Sequence, residues 1–373
     1  ESYLTATYGS DNHYRLGLVG NAKILSGLSI RVSGLKNYSD GFRTNVSKNT
    51  TNSNKRDELF LRTKLKYQPN EKIVVVGTFM IADLDNGYDA WAPDNNQDFI
   101  TYSNQQGQDS QKSTAFSLRA NLGLSKQMDF TSITSYSETD LVHSYDGDWA
   151  DDTYWYNNHN FDPELEGWSY EFFDSNEKNR SSFTQELRAS IGSFILGGYY
   201  KYLKEKDIAS GYLFSGLVTE GTSVYDFDVL AGYAQYDYHF SSELRLIGNF
   251  RYETNKILYN GTYLGYDVAL PPVEFDLEHD MLGFKGSFQY QDGQFTSYYL
   301  SFAQGYKSGG VNQQPFLAEK NRPFKPEYIQ NVEMGFKRII HNKLCQHYTF
   351  KTLHTPWLFP IIFLSIKIDR DPF

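Results

Sequence analysis

Apolar and polar residues alternate with a period of two along most of the chain. In STAFSLRANLGLSK, for example, Phe116, Leu118 and Leu122 fall on one face of an extended chain, and Arg119 and Asn121 fall on the other. The same alternation recurs over residues 183–191, 244–253 and 282–290. Because successive side chains of a strand point to opposite faces, the pattern predicts β-strands with one apolar face and one ionic face.

Short and long connections alternate between these predicted strands. Short ones lie at QPNE, Lys126-Gln127, Gly192-Ser193, Phe240-Ser241-Ser242 and QDGQ. The long polar segments are residues 40–55, 84–112, 144–181, 207–225, 258–275 and 308–326. Outer-membrane barrels join their strands in this way, with short turns on one side and long loops on the other. We therefore expect an all-β, antiparallel transmembrane β-barrel, rather than a soluble sandwich or a propeller with a fixed blade repeat.

The alternation yields about fourteen strands between residues 1–9 and 327–338. No segment shows the caps and the 3.6-residue period of a helix, so no helix is predicted. No run of about 18 apolar residues occurs either, so a transmembrane helix is not expected.

The composition supports a barrel. Aromatic residues make up 17% of the chain, with 30 Tyr and 27 Phe, while charged residues make up 21%. The mean hydropathy is −0.56. A strand that alternates lipid-facing and lumen-facing residues has a modest average hydropathy, which fits these values.

Several classes of function find no support in the sequence. The net charge of −10 argues against a nucleic-acid partner, which needs a basic surface. Lys307-Ser308 lacks the remainder of a phosphate loop, and the histidines, among them those at 341, 347 and 354, lack zinc-ligand spacing. A single cysteine, Cys345, excludes an intrachain disulfide. We therefore expect no enzyme, no catalytic residue, no metal site and no cofactor.

The predicted loop 144–181 is rich in aromatic side chains. Trp149, Tyr154, Trp155 and Trp168 are our candidates for contact with a ligand, because such rings offer a large rigid surface at little entropic cost. Two interpretations stay open, since loop aromatics also pack on one another or form an interfacial girdle. The acidic run DGDWADD offers oxygen ligands for calcium, but a solvated acidic loop explains it better.

Two motifs near the C-terminus carry a resemblance to a known family. They are SFAQGYKSGGVNQ at residues 301–313 and KPEYIQNVEMGFKR at residues 325–338. The matching residues are Gly305, Tyr306, Lys307, Gly309, Gly310, Glu327, Glu333 and Gly335. Over residues 1–338 the chain resembles the barrel domain of TonB-dependent outer-membrane receptors.

The resemblance implies a receptor in the bacterial outer membrane, surrounded by its lipid. Such a receptor takes up a scarce ligand, most often a ferric siderophore, with energy supplied by the TonB system. Family barrels have about 22 strands and a plugged lumen, and the plug and the TonB box through which TonB would act do not occur in this sequence. We therefore expect part of a receptor barrel.

Residues 339–373 lose the alternation and are expected to form an out-of-pattern tail, frameshifted or chimeric. Two other functions remain as alternatives. A passive porin or structural surface barrel needs fewer strands, and a soluble carbohydrate-binding β-protein needs no membrane.

The resemblance also sets expectations for individual residues. Tyr306 would lie in the outer interfacial girdle, with Lys307 in the headgroup layer and Gly309-Gly310 turning the chain into an outer loop. The lumen-facing arginines would pair with carboxylates of neighbouring strands or of the missing plug. They are Arg119, Arg188, Arg245 and Arg251.

Overall fold

The computed structural model describes residues 2–89, 91–340, 344–355 and 358–370, with side chains described up to residue 338. The first ten strands are β1 (Tyr3–Tyr8), β2 (Tyr14–Leu25), β3 (Leu28–Ser39), β4 (Thr44–Asn45), β5 (Arg56–Asn70), β6 (Ile73–Gly87), β7 (Ile100–Thr101), β8 (Gln108–Ser125), β9 (Met128–Asp146) and β10 (Phe172–Ile191). The others are β11 (Phe194–Leu213), β12 (Leu217–His239), β13 (Leu244–Gly265), β14 (Val268–Asp292), β15 (Thr296–Lys307), β16 (Gly310–Val311), β17 (Pro323–Phe324), β18 (Glu327–Ile340), β19 (Leu344–Thr355) and β20 (Leu358–Arg370).

Sixteen of these strands form one sheet, in the order β1-β2-β3-β5-β6-β8-β9-β10-β11-β12-β13-β14-β15-β18-β19-β20. Each strand pairs antiparallel with the next strand of the sheet along the chain. Without β19 and β20 the sheet has fourteen strands, from β1 to β18. The prediction of an all-β antiparallel fold with about fourteen strands up to residue 338 is confirmed.

Strand pairing continues beyond residue 338. The sequence shows no alternation there, yet β19 pairs with β18 and with β20. Backbone pairing does not need alternating side chains, which explains why the pattern did not reveal these strands. The assignment of residues 339–373 to a separate, frameshifted tail stays a prediction, and residues 341–343, 356–357 and 371–373 lie outside the described part.

The register gives the sheet two different faces. Phe116 lies opposite Tyr136, and Phe250 lies opposite Phe284, so large apolar side chains gather on one face. Arg251 lies opposite Tyr233 on the other face. Paired residues share a face, so the alternation of each strand is propagated across the sheet. We call these surfaces the apolar face and the polar face.

The connections at the two ends of the sheet differ in length. At the short-turn end, the strands are joined by two to four residues, for example 126–127 between β8 and β9 and 240–243 between β12 and β13. At the loop end lie the long connections, residues 40–55, 88–107, 147–171 and 308–326. The predicted alternation of short turns and long loops is confirmed at these positions.

The prediction of a long loop is wrong in two places. Most of 207–225 belongs to the β11–β12 hairpin, which pairs without interruption up to Leu213 opposite Leu217. Most of 258–275 likewise belongs to β13 and β14, whose turn is Tyr266-Asp267. In these segments the buried face carries polar residues such as Asp207 and Ser223 as well as apolar ones, so the apolar alternation that identifies strands in the sequence is lost.

Two short helices lie in the connection 147–171. In α1 (Asp152–His159), the side chain of the N-cap residue Asp151 accepts from Tyr154 N, and Asn160 ends the helix at φ 54. The shorter α2 (Pro163–Glu166) is capped by Asp162 and ends at Gly167. The expectation of no helix is wrong here, because both helices are too short to show a period although their caps are visible in the sequence. None of the helices in the described residues is long and apolar enough to span a membrane.

We predict that the 373-residue chain aggregates when it is produced alone in water. Large side chains of the apolar face are exposed, such as Phe116 at 46% and Phe250 at 51%, and β1 and β20 are paired on only one side among the described strands. Unpaired edges and exposed apolar bands both promote association. Size-exclusion chromatography with and without detergent tests this, and a monodisperse species without detergent would contradict it.

We also predict that Gly197→Ala destabilises the protein by about 1–3 kcal/mol. Gly197 lies opposite Tyr233, whose ring covers it so closely that a Cβ would overlap the ring atoms. The same ring donates its hydroxyl hydrogen to Glu186, so displacing the ring also breaks that bond.

The matched control is Gly232→Ala in the neighbouring strand. A Cβ at Gly232 has no atom within 4 Å, so the expected change is below about 0.5 kcal/mol. The measurement is the urea midpoint of the protein in detergent, and equal losses for the two variants would refute this packing argument.

Candidate functional site

Three long connections at the loop end pack together into one unit, which we call the loop cluster. It consists of residues 40–55, 88–107 and 147–171. β4 and β7 pair in parallel inside it, and Val46 N donates to Thr101 O at 3.0 Å. Asn45 is completely buried and donates through Nδ2 to Ser103 O at 2.8 Å. Loops from different hairpins are thus held by backbone and side-chain hydrogen bonds.

Two buried carboxylates organise the third loop, and Asp146 also connects it to the second. Asp146 is 1% exposed and accepts from the backbone N–H groups of Asn104 and Trp149, both at 3.1 Å. Asp148 accepts from the indole Nε1 of Trp155 at 3.0 Å. Since buried polar groups need partners, these residues organise the loop cluster from within.

All four predicted ligand-contact residues belong to the third loop of this cluster. Trp149 stacks on Trp91 at 6.0 Å and is 37% exposed. Tyr154 is only 9% exposed and lies 4.5 Å from the ring of Tyr102. Trp155 meets Tyr154 edge-on at 5.3 Å. The contacts support the packing interpretation for Tyr154 and Trp155, while Trp149 keeps an exposed face.

The fourth residue, Trp168, lies apart from these three. Its ring meets Phe214, in the turn of the β11–β12 hairpin, at 4.7 Å. Phe214 also packs on Phe172 at 5.2 Å. Trp168 therefore connects the loop cluster to the neighbouring long hairpin.

A cavity of about 530 Å³ opens beside the loop cluster, at the loop end of the sheet. The strands β9 to β13 and the connection 308–326 surround it. Its aromatic lining includes Tyr145, Phe172, Tyr263, Tyr266 and Phe316. Concave sites with aromatic walls and a few polar groups are the usual places for small ligands.

The sequence analysis did not find this cavity. Tyr263 and Tyr266 fell in a segment assigned to an irregular loop, and Phe316 carries no motif. A signal was present for Tyr145, which lies beyond the apolar part of β9 on the same face as the ionic residues.

The connection 308–326, which we call the roof loop, folds over the polar face. Phe316 stacks on Tyr266, with ring centres 5.2 Å apart and planes 11° apart. Tyr263 donates its hydroxyl hydrogen to Gln313 O at 3.4 Å. Val311 is 8% exposed and packs with Ile257 of β13. The roof loop is thus anchored on the strands that line the cavity.

Arg322 holds the roof loop in shape. It is 3% exposed, and its guanidinium donates to Pro315 O at 2.7 Å and to Leu317 O at 3.2 Å. It also lies 5.6 Å from the ring centre of Tyr263. The buried charge is therefore stabilised by carbonyl dipoles and by the face of an aromatic ring.

The motif residue Tyr306 does not occupy its expected place in the girdle. Its hydroxyl lies 3.1 Å from Arg251 Nε and 3.1 Å from Glu253 Oε2, on the polar face. Arg251 also binds Glu253 at 2.6 Å. The ring of Tyr306 crosses Gly283, where a Cβ would lie 3.0 Å from it. The expectation failed because the Arg251–Glu253 ion pair on the polar face offers this hydroxyl partners that the interface would not.

The two motif glycines bring the roof loop close to the sheet. A Cβ at Gly309 would lie 2.6 Å from Phe324 O and 2.8 Å from the ring of His279. A Cβ at Gly310 would lie 2.7 Å from the ring of Phe324. Only glycine permits such approaches without displacement. The other motif residues lie in the β15–β18 pair, where Gly305 faces Ile329, Lys307 faces Glu327, Glu333 faces Ser301 and Gly335 faces Tyr299.

The remaining predicted arginines differ in their partners. Arg245 binds Asp237 of the neighbouring strand, with Nε at 2.7 Å, as predicted. Arg188 instead lies 3.9 Å from Glu186, a residue of its own strand. Arg251 likewise pairs within its own strand, with Glu253. Arg119 makes no ion pair with any residue that the structure describes.

Comparison with known proteins settles the family. The family model "TonB dependent receptor-like, beta-barrel" matches residues 37–351, well over half of the chain. The chain belongs to this family of TonB-dependent receptors. The family consists of outer-membrane receptors and transporters rather than enzymes, so the porin and carbohydrate-binding alternatives are not taken further.

Solved structures of this family show the same fold. The ferric yersiniabactin uptake receptor FyuA from Yersinia pestis aligns with a TM-score of 0.78 and 16% identity, covering 95% of this chain and 54% of FyuA. The siderophore receptor PiuA from Acinetobacter baumannii aligns with a TM-score of 0.68 and 13% identity, covering 94% of this chain and 57% of PiuA. The copper transporter OprC aligns with a TM-score of 0.62 and 13% identity, covering 94% of this chain and 52% of OprC. The chain thus spans about half the length of these receptors, and no curated protein matches it.

Membership of the family orients the TonB-dependent receptor barrel. Short turns of such barrels lie in the periplasm and long loops lie outside the cell. The loop cluster, the cavity and the roof loop are therefore on the extracellular side. Within the described ranges, no group of three or more His, Cys, Asp or Glu side chains could hold a metal ion.

The carboxylates inside the loop cluster have perturbed acidities. Asp146 is the last of the 19 residues of β9, and about ten strand residues suffice to cross a bilayer, so it lies outside the membrane. Burial, followed by the nearby charge of Asp148, raises the pKa of Asp146 to about 8. Burial likewise raises the pKa of Asp148.

We predict that the loop cluster loosens as the pH rises toward about 8. The closed cluster holds a proton on Asp146 that the opened loops release at the ordinary carboxyl pKa, so closure is most favourable below that pKa and is lost progressively above it. The emission of Trp149, which stacks on Trp91, and limited proteolysis across the pH range measure the opening.

Asp146→Asn should flatten the pH dependence of the cluster, because the titrating group is gone. Asp98→Asn is the matched control, since Asp98 is an exposed carboxylate of the same cluster with no hydrogen bond or ion pair in the described residues. An unchanged pH dependence in Asp146→Asn would show that another group controls the opening.

Proposed function

We propose that this chain is the barrel portion of a receptor that takes up a ferric siderophore or a similar scarce ligand across the outer membrane. The TonB system would supply the energy, acting through a plug outside this chain. Similarity to receptors named for ferric yersiniabactin and for siderophores supports the ligand class, although a copper transporter has the same fold.

The observation that carries the proposal is the aromatic cavity of about 530 Å³ at the extracellular end. It lies on the polar face, which is the face that lines the lumen of a barrel. A ligand in it would contact Tyr145, Tyr266 and Phe316 before it moved along the lumen.

The predicted loop aromatics take different places in this proposal. Trp149, with its exposed face, would contact the ligand as it arrives at the loop cluster. Trp168 would act at the rim of the cavity, through Phe214 and Phe172. Tyr154 and Trp155 would contribute mainly by holding the loop cluster that presents Trp149.

We predict that Phe316→Ala or Tyr145→Ala weakens ligand binding roughly tenfold, which corresponds to about 1.4 kcal/mol. Each change removes an aromatic surface from the cavity wall, and aromatic contacts of this size contribute on that order. Binding of ferric siderophores to the full-length receptor in detergent, and iron-limited growth of cells that carry it, provide the measurements.

Tyr156→Ala is the matched control, because Tyr156 is 55% exposed on α1 and does not line the cavity. It should bind like the unmodified receptor. Uptake that persists in cells without TonB would contradict the energised mechanism and favour passive passage. Normal binding by both cavity variants would place the ligand elsewhere.

A further inference from the structure

The charges that line the cavity are unevenly distributed. Asp174, Lys178, Asp207 and Glu220 are the charged residues of the lining. Three are acidic and one is basic, so the wall carries a net negative charge before any ligand arrives. The register places Asp174, Lys178 and Asp207 on the polar face, whereas Glu220 lies opposite Ser210 and belongs to the other face.

The basic groups at this wall are already neutralised. Lys178 Nζ lies 2.8 Å from Asp207 Oδ2 and 3.6 Å from Glu205 Oε1. Arg180, one step further from the loop end, donates through Nε to Glu205 at 2.6 Å. Both carboxylates are largely buried, since the side chain of Glu205 is 9% exposed and that of Asp207 is 12% exposed. Such shielded pairs leave no cation free to receive an anionic ligand.

Asp174 is the exception on the polar face. It is exposed and has neither an ion pair nor a hydrogen bond to any residue that the structure describes. Its cross-strand neighbours are Gly211, which has no side chain to cover it, and Tyr145. An unpaired carboxylate therefore stands beside an aromatic ring in an open cavity.

Two other basic groups, one beside Asp174 and one in the roof loop, could change this balance. Burial raises the pKa of Asp174 and the electrostatic influence of His143 opposes this, while His143 Nδ1 lies 3.7 Å from the carboxylate of Asp109. Arg322 does not line the cavity; its Nε and Nη2 donate to carbonyls of the roof loop, and its Nη1 is buried without a hydrogen-bond partner among the described residues. Neither residue lines the cavity.

A carboxylate and an aromatic ring together attract cations. The ring face is the negative end of the aromatic quadrupole, and the nearby charge of Asp174 contributes to a raised pKa of Tyr145, after burial, so the ring stays neutral. A polyanion in the same place would meet an unpaired carboxylate, which costs binding free energy.

We propose that the cavity selects a ligand that presents a positively charged group, such as a ferric hydroxamate with a free ammonium, and rejects polyanionic ferric catecholates. Asp174 binds the cationic group, and Tyr145 lies against it. This selectivity rests on the proposed function, in which the cavity is the ligand site.

The test uses the full-length receptor in detergent and two probes, a cationic ferric trishydroxamate with a free amine and a polyanionic ferric triscatecholate. The unmodified receptor should bind the cationic probe at least roughly tenfold more tightly, about 1.4 kcal/mol. Asp174→Asn should weaken binding of the cationic probe by a similar factor. The affinity for the polyanionic probe should stay unchanged or rise slightly. Asp174→Lys should reverse the preference.

Glu177→Gln is the matched control, because it removes a carboxylate from the same strand on the opposite face. It should leave both affinities unchanged. If Phe316→Ala weakens both probes while the Asp174 variants keep the same preference, the charge selectivity is overturned and the proposed site stands. If neither probe binds, or Phe316→Ala has no effect on either, the proposed site itself fails, and the selectivity fails with it.

Discussion

The pairing register of the antiparallel sheet is the constraint on which the other features of this receptor depend. Within a bilayer every backbone N–H and C=O must be satisfied by the chain itself, and the ladders from β8 to β15 do so over long stretches, with twenty register pairs between β10 and β11. A slip of one residue would turn Arg251 and Glu253 toward lipid and Phe250 toward the lumen. The same register places Tyr145, Asp174 and Gly211 side by side at the cavity.

The alternation that fixes this register is also what made the membrane part predictable. The alternation in segments such as 116–124 and 244–253 predicts both the strand and the side chains on each of its faces, because each position meets either lipid or water. The information ends where the strands leave the membrane. The end of the β11–β12 hairpin, residues 207–225, was assigned to a loop for this reason, since its buried positions include the polar residues Asp207 and Ser223.

The candidate site was less predictable than the fold. The aromatic loop 144–181 was identified as important, and its residues do form contacts at the extracellular end, but Tyr154 and Trp155 use their rings mainly to hold the loops together. The cavity depends on contacts between segments far apart in sequence, such as Phe316 with Tyr266. No local pattern encodes such a pair. The motif residue Tyr306 shows the same limit, because its partners Arg251 and Glu253 lie some fifty residues away.

The parallel pairing of β4 with β7 has a consequence for how these loops can change in evolution. Insertions and deletions are usually tolerated at loop tips because each loop varies independently of the others. Here two loops from different hairpins share backbone hydrogen bonds, and Asn45 of one is buried against Ser103 of the other. A change of length in either loop would shift its partner residues out of register. New binding specificities should therefore arise here by exchange of side chains such as Trp91 and Trp149, with both loop lengths retained.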